Sequence, residues 1–199
     1  MKRDRGFIRV FVIIALSVVT ACAPTTLLKS VWKDDAYHGD RLKKALIMGV
    51  ERNTTVQALL EDAFAEQLRA RGTDAVQSYL VFPEEEVIDK RMIAAKVKEL
   101  QIDALIIATL KDVAATGMYD TNPSFSHEGG GYYGYYLQCC QIVSTGRNVV
   151  IETKIFDTKS EKMVWSAVTE TIFEGSAEVV IRSFVPVIIT ELQGTSLLQ

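Results

Sequence analysis

Hydrophobic residues along this chain change period several times, and each change marks an element. Lys44 to Val50 (KALIMGV) is a short apolar run with the length of a strand. Val56, Leu59, Leu60, Ala63, Phe64 and Leu68 then recur at helical spacing on one face. Thr54 to Gln57 carries the hydroxyl-then-amide pattern of a capping box, and Gly72 stands where a helix end wants a left-handed residue. Ala75 to Phe82 reads as a second strand. Pro83 followed by Glu84, Glu85 and Glu86 suits the first turn of a second helix, where the positive end of the dipole favours acids. That helix runs to Leu100, with Ile88, Met92, Ala95 and Leu100 inward. Ala104 to Leu110 (ALIIATL) is continuously apolar, as in strands buried on both faces.

Two helices between three strands make two βαβ units, which predicts parallel strands in the order second–first–third. After Lys111 the pattern changes, and residues 116–146 are rich in Gly, Tyr, Ser and Asn. Asn148 to Phe156 and Met163 to Phe173 then read as two strands joined by a short polar link. Such a pair is a hairpin that extends the sheet antiparallel beyond the third strand. Gly175 and Ser176 cap a last helix from Ala177 to Leu192, ended by Gly194, which Pro186 should kink or split. The expected fold is α/β: βαβαβ followed by an antiparallel β-hairpin and a C-terminal helix, in one mixed sheet with helices packed on it.

The first two dozen residues follow a different logic. Lys2, Arg3, Arg5 and Arg9 form a positive head, Val10 to Val19 a short apolar run, and small residues close it. That is the order of a secretory signal. A transmembrane anchor fits less well, because Phe7 to Ala21 is interrupted by Arg9 and falls short of the roughly 20 apolar residues a spanning helix needs. Val19-Thr20-Ala21-Cys22 resembles the lipobox of bacterial lipoproteins. The resemblance implies that the peptide is cut before Cys22 and that Cys22 is acylated on its sulfur. Two or more acyl chains hold a protein on a bilayer stably where one holds it marginally. Ala23 follows the cysteine in place of an inner-membrane-retaining Asp. The resemblance therefore implies the periplasmic face of an outer membrane, or the cell membrane in a Gram-positive source. Residues 1–21 are then the signal peptide, 22–41 a lipidated tether with Trp32 capping the core edge, and 42–199 a single domain.

Processing changes the charge. The leader holds four of the 22 basic and one of the 25 acidic residues, leaving 18 against 24, or −6, over 178 residues of the 199. An acidic chain argues against nucleic acid and against broad contact with anionic lipid. With Cys22 acylated, only Cys139 and Cys140 remain. They could form a vicinal disulfide, a bridge to another chain, or stay as two thiols with redox character.

The hairpin segment IETKIFDTKSEKMVWSAVTET resembles the strand–turn–strand of small α/β envelope lipoproteins, through Phe156, Asp157, Lys159, Lys162, Val164 and Trp165. That class includes the curli-secretion channel lipoprotein, the Pel polysaccharide-export lipoprotein and activators of penicillin-binding proteins. Such turns usually have Gly where Glu161 stands, so this turn either differs or carries about 1 kcal/mol of strain. In the curli channel, insertions in this fold become membrane-spanning hairpins. Residues 116–146 lack the alternating ten-residue stretches that barrel strands require, which argues against a pore.

The chain has no G-x-S-x-G elbow, Walker loop, Rossmann fingerprint or zinc-spaced cysteine pair, so no catalytic residue and no cofactor is expected. His127, Glu128, Cys139 and Cys140 could approach a metal, but adjacent cysteines on a strand point to opposite faces, and no metal is expected. Tyr132, Tyr133, Tyr135 and Tyr136, interleaved with glycines, form the candidate partner-binding surface; the alternative is an unpacked hairpin tip. The expectation is a non-catalytic scaffold or accessory factor in envelope assembly or export. It would hold the membrane through Cys22 and bind an envelope partner or itself, and no nucleic acid. The alternative is a small-ligand or metal-binding lipoprotein using residues 116–146.

Overall fold

Alternation along two central strands sorts the core into two layers. The computed structural model describes residues 25–39, 41–51, 53–82, 89–111, 148–172 and 176–198. Strands β2 (Lys44–Val50) and β4 (Ala104–Lys111) pair in parallel, from Ala45 opposite Ala104 to Val50 opposite Thr109. Ala45, Ile47, Ala104, Ile106 and Ala108 enter one buried cluster, and Leu46, Met48, Leu105 and Ile107 the other. A two-residue period sends successive side chains to opposite faces, so a continuously apolar strand must be covered on both. Helices α1 (Thr54–Arg69) and α4 (Ala177–Gln193) cover the first face, where Phe64 and Phe184 meet edge to face at 5.6 Å. Helix α3 (Lys90–Glu99) covers the second face through Ile93.

The sheet has the order β1-β6-β5-β4-β2-β3, with β1 at Thr25–Lys33, β3 at Asp74–Gln77, β5 at Asn148–Asp157 and β6 at Met163–Ile172. The second–first–third parallel order and the antiparallel hairpin beyond the third strand both hold. Successive crossovers of one hand that run in opposite directions must land on opposite faces of the sheet, which is where α1 and α3 lie.

The largest departure is at the start. Thr25–Lys33, expected within a tether, is strand β1, antiparallel to β6. A bulge between Leu28 and Ser30 explains why the sequence hides it. Thr26 and Leu28 face α4, but after the extra residue Val31, opposite Ala167, takes that face, so the alternation breaks in mid-strand. Trp32 is half-buried at this edge.

Three helix boundaries differ from expectation. Asn53, not Thr54, caps α1, its side chain accepting from the Thr55 and Val56 amides, which leaves Gln57 free to reach Glu61. The second strand ends at Gln77, and Ser78–Val81 makes the single turn α2, because Ser78 and Tyr79 bond to Glu61. Helix α3 starts at Lys90 behind the cap Asp89, with Ile93 buried and Ala95 exposed; Pro83 to Ile88 lie outside the described residues. The α4 helix is continuous through Pro186, which is exposed and so needs no replacement for its missing donor beyond solvent. Gly72, at φ 80°, ends α1 as expected.

Candidate functional site

The two ends of the sheet differ in chemistry. Thr25 lies opposite Ile172, Ile172 opposite Asn148, Lys111 opposite Val150, and Val50 opposite Thr109. These residues therefore share one end, where the parallel strands β2 and β4 finish and β1 begins. In open α/β sheets, ligands bind outside the carboxyl ends of the strands where successive connections turn opposite ways. Here the chain leaving β2 turns toward β3, and the chain leaving β4 continues to β5 on the other side.

At that point the structure has a cavity of about 380 Å³. Val56 and Leu60 of α1, Ala108 and Leu110 of β4, Val149 and Ile151 of β5 and Val180 and Ile181 of α4 line it. Its volume falls in the range of about 300–1,000 Å³ that small-molecule pockets occupy. Glu51 is the one charged side chain among its described lining residues, and it accepts a bond from the Asn53 amide.

Beside this end lies a buried carboxylate that the sequence reading missed. Glu61 is fully buried on the inner face of α1. Its Oε1 accepts from the Gly49 amide at 2.9 Å, Gln57 Nε2 at 3.0 Å and Ser78 Oγ at 2.6 Å, and its Oε2 from the Tyr79 amide at 3.2 Å. Burial pushes its pKa above the ordinary carboxylate range, and these donors pull back only part of the way. The arrangement clips α1 to the end of β2 and to α2. Gly49 permits it, since a Cβ there would stand 3.3 Å from Leu60 Cδ2. The available signal was an acid placed between Leu60 and Phe64, inside the apolar stripe.

The opposite end of the sheet is polar. A cavity of about 430 Å³ is lined by Asp34, Arg41, Lys43 and Asp103 together with Asp157, Lys159 and Lys162 of the hairpin turn. The acids serve the local backbone. Asp103 accepts from the Lys43 and Lys44 amides at 2.9 and 3.1 Å, and Asp157 accepts from the Ser160 amide and hydroxyl at 2.7 Å each. The hairpin motif is thus divided: Asp157, Lys159 and Lys162 line this corner, whereas Phe156, Val164 and Trp165 are core, Val164 also reaching the corner. Glu161 does take the left-handed conformation, with φ 55°.

Cys22, Tyr132, Tyr133, Tyr135, Tyr136, Cys139, Cys140, His127 and Glu128 all lie outside the described residues. Among the described residues no group of three His, Cys, Asp or Glu side chains is placed to hold a metal ion.

No family model matches the chain, and no curated protein matches it. Among solved structures it is similar to two of the PelC dodecamer from Paraburkholderia phytofirmans, one of them a methionine-substituted form. Each is 14% identical to this chain, covering 84% and 85% of it and 96% and 97% of the PelC chain, with a TM-score of 0.46.

Proposed function

We propose that this chain is a lipid-anchored, periplasm-facing envelope protein that acts without catalysis, as a scaffold or accessory factor in envelope assembly or export. The observation that carries the reading is the start of β1 at Thr25, three positions after Cys22. A protein acylated at Cys22 would pass from the bilayer into its sheet with almost no spacer. The end of the sheet holding Thr25, Ile172 and Asn148 would then sit at the membrane surface in a set orientation, which a scaffold needs and a freely tethered domain lacks. Leu27 and Ile172, 44% and 55% exposed, stand on one face of the sheet beside that point and offer apolar contact area there.

Intact-mass measurement of the membrane-extracted protein tests the anchor. The expected species begins at Cys22 and carries two or three acyl chains, and Cys22→Ser should leave an unprocessed precursor. A mature chain with an unmodified Cys22 ends the reading. Capture of a stable partner from detergent-solubilised membranes tests the scaffold. A chain recovered alone and monomeric speaks for ligand binding instead, for which the apolar cavity is the separate observation.

A further inference from the structure

We propose that the cavity between α1 and α4 is a binding site for an acyl chain of a bilayer phospholipid. Orientation at the membrane rests on the anchored reading above; the cavity itself does not.

Three features converge. The first is lining: aliphatic side chains from α1, β2, β4, β5 and α4 surround the space, with Glu51 already bonded to the Asn53 amide. Among the described lining residues Glu51 is the one polar side chain, so the wall offers a polar ligand little to bond with, and it matches a hydrocarbon chain. The second is place. The cavity lies outside the ends of β2 and β4, where open α/β sheets take their ligands. The third is direction. Thr25, the residue nearest Cys22 among those described, reaches the same end of the sheet as Val50, Lys111 and Asn148. An anchor at Cys22 therefore holds this end, and not the polar corner, against the lipid.

Cys22's own chains are a poorer occupant. β6 stands between β1 and the cavity wall on β5, which puts β1 two strand spacings or about 10 Å from that wall, and a chain diverted there is lost from the anchor. Surrounding phospholipid has no such conflict.

The test uses the full-length protein made in a Gram-negative host fed a diazirine-bearing fatty acid. After irradiation, adducts are mapped by peptide mass spectrometry. The expected result is a phospholipid-mass adduct on peptides holding Val149 and Ile151 or Val180 and Ile181. Ala177→Trp, placed at the half-buried mouth of the cavity, should reduce it at least fivefold with the melting temperature unchanged. Val149→Trp is a second plug from a half-buried position on another element, should Ala177→Trp fail to fold. Adducts confined to exposed Leu27 and Ile172, or a link running from Cys22 itself, overturn the proposal while leaving the anchor intact. Cavity adducts on a chain whose Cys22 is unmodified overturn the anchor while leaving the site.

Discussion

The hydroxyl of Thr26 lies 2.7 Å from that of Ser183, so the first strand is tied by side chain to the last helix. Thr26 also reaches Thr171 at 2.8 Å on the neighbouring strand. These contacts add to the β1–β6 pairing that makes the segment behind Cys22 part of the sheet and not a leash. Thr26→Val keeps the β-branched shape and removes both bonds. It should lower stability by about 1–2 kcal/mol in urea unfolding and speed amide exchange along β1. Thr26→Ser should retain most of both. If valine leaves β1 as protected as before, the hydroxyls do not secure it.

Glu61 predicts a pH dependence whose sign follows from burial. Its folded pKa is raised above the ordinary 4.5, so the native state holds this proton more tightly than the unfolded chain does. Its contribution is full below the unfolded value and is lost as pH rises through the raised folded one. Measured against Glu61→Gln, wild type should therefore lose relative stability as pH climbs from below 4.5 into the range above it. A difference curve that is flat, or that rises with pH, shows that Glu61 is charged in the fold without penalty.

Among the described residues, two other than glycine adopt left-handed backbone: Gln101 at φ 54°, after α3, and Glu161 at φ 55°, in the hairpin turn. At Gln101 the bonds from the Ile102 amide to Val97 and from the Gln101 amide to Lys98 close the helix end as glycine usually does. Replacing either with Gly should stabilise by up to about 1 kcal/mol, less the extra freedom glycine gives the unfolded chain. Chemical denaturation of the single and double variants checks this, and the two gains should add because the sites are independent.

Thr153 is fully buried on β5, and its Oγ1 has no hydrogen-bond partner among the described residues. Replacing a buried, unpaired hydroxyl with a methyl of similar shape removes a desolvation cost. Thr153→Val should gain about 1 kcal/mol. A loss of similar size in calorimetry indicates that the hydroxyl is satisfied in solution, most simply by a buried water.

Much of the fold was legible because its signals are local. ALIIATL and KALIMGV name two central strands through their uninterrupted apolar runs, and two intervening helical patterns impose the parallel order by the handedness of crossovers. The hairpin followed from its polar link. Gly72 followed from backbone sterics at a single position, whereas the left-handed Glu161 was one of two alternatives that the hairpin's resemblance left open. These elements are decided by residues within a turn or two of one another, and the sequence by itself determined them.

What the tertiary structure decided depends on residues far apart in the chain. β1 exists as a strand because it pairs with β6, more than 130 positions away, with Thr26 reaching Thr171 and Ser183 at 145 and 157 positions, while its own alternation is broken by a bulge. Glu61 reads as an ordinary helix acid until Gly49, Ser78 and Tyr79 surround it, and a burial penalty cannot be seen in a residue name. The apolar cavity belongs to no segment at all. It is the space between α1 and α4 over the ends of β2, β4 and β5, and only the packing of these elements gives it walls.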